Sequence, residues 1–267
     1  MKLVGIGMGG CNIAKKIHEY NKKADLITFD EKNATYLTPP EKKAEKIEEK
    51  FVAPKFAEDG DSVYIFVCGS GKTPFIILKL LESLQTCKVV VTYIKPSYKT
   101  LNKEQKNNEK VLRGVLRDYC LSAKFKLILF DNQNITEKVG TAPILSFYSK
   151  INEFIGWTLT TFEFLKGQDP VLGKYLEPPE HSMITSLSLK RSLDHDFIDG
   201  FNIENPRGRN FLFAVEKKAL QEDESLLQYI ETEMTKKETE YSKNNYLILE
   251  SETEENFCII ETYTNYI

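Results

Sequence analysis

Along the first half of the chain, short runs of consecutive apolar residues bounded by turn formers alternate with longer stretches in which apolar residues return every three or four positions. The short runs predict strands at 2–6, 25–29, 62–67, 88–93 and 126–130, and their unbroken apolar character is that of strands covered on both faces. The longer stretches predict helices at 11–23, 73–85 and 102–121. Strands and helices in alternation make βαβ units, so the expected fold class is α/β, a Rossmann-like, mostly parallel sheet with helices on both faces. Segment 39–54 interrupts the pattern. It is rich in lysine and glutamate with prolines at both ends, and reads as a solvated helix or loop.

Beyond the fifth strand, 144–165 keeps an apolar helical period and is expected to be a core helix. Residues 167–179 carry three prolines and two glycines, the composition of a connection. The tail has a different texture. It predicts a strand at 211–216, a polar helix at 223–243, and two alternating strands at 245–249 and 257–263 around an acidic turn region at 250–256. Their spacing suggests an antiparallel hairpin. The expected organisation is a main domain over 1–166, a connection over 167–206 and a reduced C-terminal α+β domain over 207–267.

Charge and composition narrow the choice of partners. The 267 residues carry 36 basic and 39 acidic side chains, a formal net charge of -3, so no global field attracts nucleic acid or an anionic membrane. No direct nucleic-acid contact is expected. No stretch approaches the ~18 uninterrupted apolar residues of a membrane span, and Met1 leads directly into a strand-like run without the features of a signal peptide. The five cysteines are odd in number and lack a CxxC pair, which argues against a disulfide framework or zinc site and for a reducing cytoplasm. His18, His181 and His195 lie in separate segments and offer no triad or metal cluster; Asp194, Asp196 and Asp199 lack the glycine and terminal glutamate of a calcium loop.

Two glycine motifs carry the candidate chemistry. The first, Gly5-Ile6-Gly7-Met8-Gly9-Gly10-Cys11-Asn12, falls between a predicted strand and helix, where backbone N–H groups and the helix N-terminus can hold a phosphate. Its Gly5-x-Gly7-x-x-Gly10 spacing matches the dinucleotide fingerprint, and Asp30 at the end of the second strand is placed for a ribose hydroxyl. Tight packing of helix on strand explains the same glycines without a ligand. The second motif, Gly69-Ser70-Gly71-Lys72-Thr73-Pro74, follows the third strand. Its Gly71-Lys72-Thr73 matches the end of a P-loop, with Asp131 available as a Walker B carboxylate, but Phe66 stands where the P-loop's first glycine is required. An NAD-binding oxidoreductase and a P-loop ATPase are therefore both alternatives. Neither explains two phosphate-type turns on neighbouring parallel strands.

Both motifs resemble the nucleotide loops of the tubulin/FtsZ superfamily. Residues 5–12, GIGMGGCN, are similar to the first loop of FtsZ, and residues 69–74, GSGKTP, to the end of its signature glycine loop. In the same order, 89–96 (VVVTYIKP) resembles the family's strand ending in TxP, and 127–132 (LILFDN) its strand ending in a nucleotide-contacting asparagine. Tyr148, Asn152 and Glu153 match the start of the central helix, where an aromatic ring stacks on guanine and polar residues read the base edge.

The resemblance implies GTP or GDP as ligand, with magnesium as companion ion. The binding set it implies is Gly7, Gly9, Gly10, Cys11, Asn12, Asp30, Gly69, Ser70, Gly71, Lys72, Thr73, Asn132, Tyr148, Asn152 and Glu153. It also implies head-to-tail self-association into filaments that move or position cargo, with cargo-adaptor or virion proteins as partners, in a compact version suited to a phage or mobile element. Three departures bear on hydrolysis: the signature loop is shortened, the C-terminal region is small, and the acidic NxDxxD loop after the central helix has no counterpart in 167–188. Only Asp169, Glu177 and Glu180 supply carboxylates in that connection, with Glu180 as the substitute catalytic residue. Turnover is expected to be weak or absent, and the alternative within the same fold is an assembly or virion component without nucleotide turnover.

Overall fold

A computed structural model describes residues 1–30, 51–123, 125–140, 143–180, 183–240, 242–251 and 255–266. They form two compact units, Met1–Trp157 and Thr158–Ile267. Most of segment 39–54 and His181 lie outside the described residues; within that segment, Phe51 is buried and meets Phe29 edge-on, with ring centroids 5.9 Å apart.

The first unit is a parallel sheet of β1 (Lys2–Ile6), β2 (Asp25–Phe29), β3 (Ser62–Cys68), β4 (Lys88–Lys95) and β5 (Lys126–Asp131) in the order β2-β1-β3-β4-β5. All five expected strands are present, three of them running one or two residues further at their carboxyl ends. The chain moves from β1 outward to β2 and then returns to the other side of β1 to lay down β3, so the strand order reverses between β1 and β3. A crevice opens at such a reversal, outside the carboxyl ends of the strands.

Helix α1 (Gly7–Tyr20) starts four residues earlier than the apolar period suggests, because the glycines themselves form its first turn. The expected helix at 73–85 is a 3-10 turn, Thr73–Ile76, followed by α2 (Ile77–Ser83). Then come α3 (Lys103–Ala123), α4 (Asn132–Val139), which the sequence pattern did not predict, and α5 (Ile144–Lys166), the expected core helix. No described helix is long and apolar enough to cross a membrane.

The second unit is mixed. Its strands are β6 (Leu172–Gly173), β7 (Ile184–Lys190), β8 (Ile198–Asp199), β9 (Gly208–Glu216), β10 (Lys243–Ser251) and β11 (Phe257–Thr264), in the order β7-β11-β9-β10-β6 with β8 on β7. The expected hairpin of the last two strands is not formed. β9 lies between them, parallel to β10 and antiparallel to β11. The reason is the connection: α6 (Lys217–Glu222) and α7 (Leu226–Lys236) make β9 and β10 a crossover pair, which must be parallel. Ile230 and Leu226 of α7 join Phe211, Phe213, Val215, Ile248 and Ile260 in a core beneath that crossover.

Candidate functional site

The parallel register sets out one edge of the first unit in a row. Ile6 pairs with Phe29 on one side and Val67 on the other; Cys68 pairs with Ile94, and Lys95 with Asp131. The residues that follow these positions, Asp30, Gly7, Gly69 and Asn132, therefore leave the carboxyl ends of neighbouring strands together. Both glycine motifs flank the strand reversal.

The two turns also touch. Gly7 adopts φ +68°, and a Cβ there would lie 3.7 Å from the Pro74 ring that closes the second turn. A Cβ on Gly9 would come within 2.9 Å of Cys68 Cβ. Different glycines serve different ends. Gly5 and Gly10 are packing positions, since a Cβ would stand 2.5 Å from Cys11 Cα in the first case and 2.1 Å from Phe66 O in the second. They let α1 lie directly on β1 and β3.

No side chain caps the N-terminus of α1, and its first turn contains no acidic residue. Its leading N–H groups and the positive end of its dipole thus have no carboxylate within the helix's own first turn. Cys11 is buried and donates Sγ–H to Gly5 O at 3.3 Å, which ties its side chain to the packing of α1 on β1. Burial first, and the nearby Asp30 carboxylate second, push its thiol up to about 11, which also places Asp30 beside the start of α1. Asn12 is exposed.

In the second turn Gly69 is buried, Ser70 and Lys72 are half-buried, Gly71 is exposed and Thr73 is buried. Lys72 Nζ lies 3.2 Å from Glu104 Oε1 at the start of α3. Asp131 is engaged twice. Its Oδ2 is 2.6 Å from Lys95 Nζ, and its Oδ1 accepts the Gln133 amide at 2.8 Å, capping α4. That commitment leaves it poorly placed for the metal role of a Walker B carboxylate. Asn132, the first residue of α4, has a buried Oδ1 with no hydrogen-bond partner among the described residues. A buried acceptor without a donor is costly unless a ligand or water completes it.

Tyr148 near the start of α5 is 59% exposed, with its ring edge-on to Phe147 at 5.2 Å. Asn152 is half-buried and Glu153 exposed. One turn further, α5 packs on α1, where a Cβ on Gly156 would meet Lys16 at 3.4 Å, Ile17 at 3.5 Å and Tyr20 at 3.7 Å. The exposed ring thus projects from a helix that rests on the helix carrying the first glycine motif. Glu180 belongs to the second unit; it is exposed and follows Pro178 and Pro179. Glu177 faces Lys166 Nζ at 3.8 Å. Among the described residues no group of three or more His, Cys, Asp or Glu side chains could hold a metal ion.

Two supporting residues escaped the sequence reading, Lys95 and Glu109. Glu109 leaves a trace in the pattern, because it opens the stripe Glu109, Leu112, Leu116 and Cys120 on α3, all four fully buried. A carboxylate on an otherwise apolar stripe signals a buried polar network.

A glycine cradle with uncapped helix amides and an orphaned acceptor at Asn132 fit a phosphate-bearing nucleotide, and comparison with known proteins bears on which kind. No protein-family model matches the sequence, and no curated protein does. Solved structures do match its fold. CetZ from Methanosaeta thermophila is 14% identical and superposes with a TM-score of 0.65 over 100% of this chain and 86% of that one. TubZ of Bacillus thuringiensis serovar israelensis, in GDP-form protofilaments, is 14% identical with a TM-score of 0.66, covering 97% of this chain and 83% of that one. An FtsZ dimer from M. jannaschii is 10% identical with a TM-score of 0.64, covering 98% and 87%. The chain has the tubulin/FtsZ fold.

Proposed function

We propose that this chain binds a guanine nucleotide across its two glycine turns and assembles head to tail into filaments. The observation that carries this reading is the adjacency of the turns at the strand reversal, where a Cβ on Gly7 would lie 3.7 Å from the Pro74 ring. Amides of the α1 N-terminus and of 70–73 hold the phosphates, Lys72 adds positive charge, and Asp30 takes a ribose hydroxyl. Asn132 Oδ1 accepts a hydrogen bond from the ligand, while Tyr148 stacks on the base and Asn152 and Glu153 read its edge. Bound nucleotide supplies acceptors for the helix amides that no side chain caps. The described residues offer no ligand cluster for magnesium, so that ion arrives with the phosphates.

Head-to-tail contact between identical subunits does not close on itself and produces filaments. The fold is shared with TubZ in protofilaments, which supports this mode of assembly. Slow or absent hydrolysis follows from the connection after α5, where Glu177 sits near Lys166 and Glu180 is an exposed carboxylate behind two prolines. A second reading, a structural assembly protein without nucleotide turnover, is favoured by Gly5 and Gly10, which packing alone demands. A cytoplasmic setting suits either.

Titration with GTP and ATP, combined with pelleting and electron microscopy, separates the readings. GTP binding that Asn132→Ala weakens, together with filaments that need GTP, is the expected result. Filaments that form equally without nucleotide would favour the structural assembly protein, and absence of both would reject the proposal. Phosphate release measured alongside sets the turnover.

A further inference from the structure

Behind the second glycine turn lies a buried polar network that the nucleotide reading does not use. Glu109 of α3 is fully buried. Its Oε1 accepts from Tyr93 Oη at 3.0 Å and from Arg113 Nε at 2.7 Å, and its Oε2 accepts from Tyr98 Oη. Three donors on one carboxylate fix its plane and, in return, the position of both phenols. Tyr93 belongs to β4 and is fully buried, so its hydroxyl has little freedom to move.

That hydroxyl is the wall of the turn. A Cβ placed on Gly69 would fall 1.8 Å from Tyr93 Oη and 2.5 Å from Cζ, so the turn's backbone rests directly on the phenol. The Gly69 amide donates to Ile94 O at 3.2 Å, the residue after Tyr93, which pins the turn to the same stretch of β4. From the other phenol the network runs to the far side of the cleft. Lys95 Nζ lies 5.3 Å from the centre of the Tyr98 ring and 2.6 Å from Asp131, whose other oxygen caps the helix that begins with Asn132.

We infer that Glu109 is a positioning residue for the nucleotide site: it holds Tyr93 as the floor of the Gly69–Lys72 turn, and through Tyr98 and Lys95 it sets the helix cap beside Asn132. Burial first and Glu109 second keep the Tyr93 phenol protonated well above its ordinary range, so it remains a donor at any working pH. A site of this kind depends on a supporting shell, because loop backbone left to itself wanders from the geometry a phosphate needs. The inference rests on the nucleotide reading and adds what holds the second turn in place.

The test uses the full chain, a fluorescent GTP analogue and hydrogen exchange. Tyr93→Phe removes only the oxygen under Gly69; Glu109→Gln keeps the side-chain shape and disturbs both phenols. Each is expected to raise the dissociation constant about tenfold, the loss of one well-placed hydrogen bond. In the nucleotide-free protein, amides 69–73 should exchange faster in Tyr93→Phe while those of β1 keep their wild-type rates. A merely structural staple between α3 and β4 would lower global protection evenly and leave no local change at the turn. If wild type binds the analogue and both variants match it, or if exchange at 69–73 is unchanged, the positioning role is overturned and the cleft reading stands. If wild type itself binds nothing, the cleft reading fails and this inference falls with it.

Discussion

Gly7 and Gly10 sit three residues apart in one motif and are glycine for unrelated reasons. At Gly10 the obstacle is space, with Phe66 O only 2.1 Å from where a Cβ would be; at Gly7 it is the backbone, held at φ +68°. Gly10→Ala should therefore push α1 off β3 and cost about 1–3 kcal/mol in urea denaturation, as overpacking does. Gly7→Ala should cost about 1–2 kcal/mol for the left-handed conformation and weaken nucleotide binding as well, because the turn it relaxes faces the ligand. Equal stability loss with equal binding loss in the two variants would contradict this division.

A phenol and a thiol make a prediction at alkaline pH. Burial, then Glu109, pushes Tyr98 from 10.0 up to about 12, and burial pushes the Cys120 thiol from 9.0 up to about 12. Folded values above unfolded ones mean the protonated forms are favoured in the folded state, so this contribution is complete below about pH 9 and is lost as the pH rises towards 12. Urea midpoints should stay level up to about pH 9 and decline above it, less steeply in Tyr98→Phe. A midpoint unchanged up to pH 11 would contradict the assignment.

At the scale of elements, legibility followed hydrophobicity. β1 and β2 were readable to the residue; β1, buried over Leu3–Ile6, writes the apolar run of a parallel strand covered on both faces, whereas β2 is an edge strand buried only at Phe29. β7 was not readable. All seven residues of Ile184–Lys190 are buried, yet only three are aliphatic. Three of the four polar ones are satisfied internally: Ser186 Oγ accepts the Phe201 amide at 2.8 Å, Ser188 Oγ donates to Asp199 at 2.8 Å, and Lys190 is 3.1 Å from Glu233, while the buried Thr185 Oγ1 has no hydrogen-bond partner among the described residues. A strand that meets its polar demands through distant partners looks like a loop in sequence. The missed pairing of β9 with β10 has another origin: a helix was expected between them, but the short acidic turn after β10 favoured a hairpin over the parallel crossover pair. The glycine motifs were legible as a pair, while their support, Tyr93 and Glu109, is separated by sixteen positions and was not. If β7 is a core strand, Leu187→Ala should cost about 2–5 kcal/mol. A cost below 1 kcal/mol in urea denaturation would return that segment to the surface.

For the whole molecule, the fold and the function rest on different supports. The tubulin/FtsZ fold is a matter of topology over nearly the entire chain, and it persists at 10–14% identity to the solved structures. The proposed nucleotide binding depends instead on a few backbone amides arriving together at the reversal between β1 and β3. Hydrogen exchange on the full chain with and without saturating GTP tests that convergence most directly. Amides at 7–12 and at 70–73 should gain protection together, while the Glu58–Asp61 turn before the amino end of β3 keeps its rates. Protection of one glycine turn without the other, or of neither, would contradict the shared cradle.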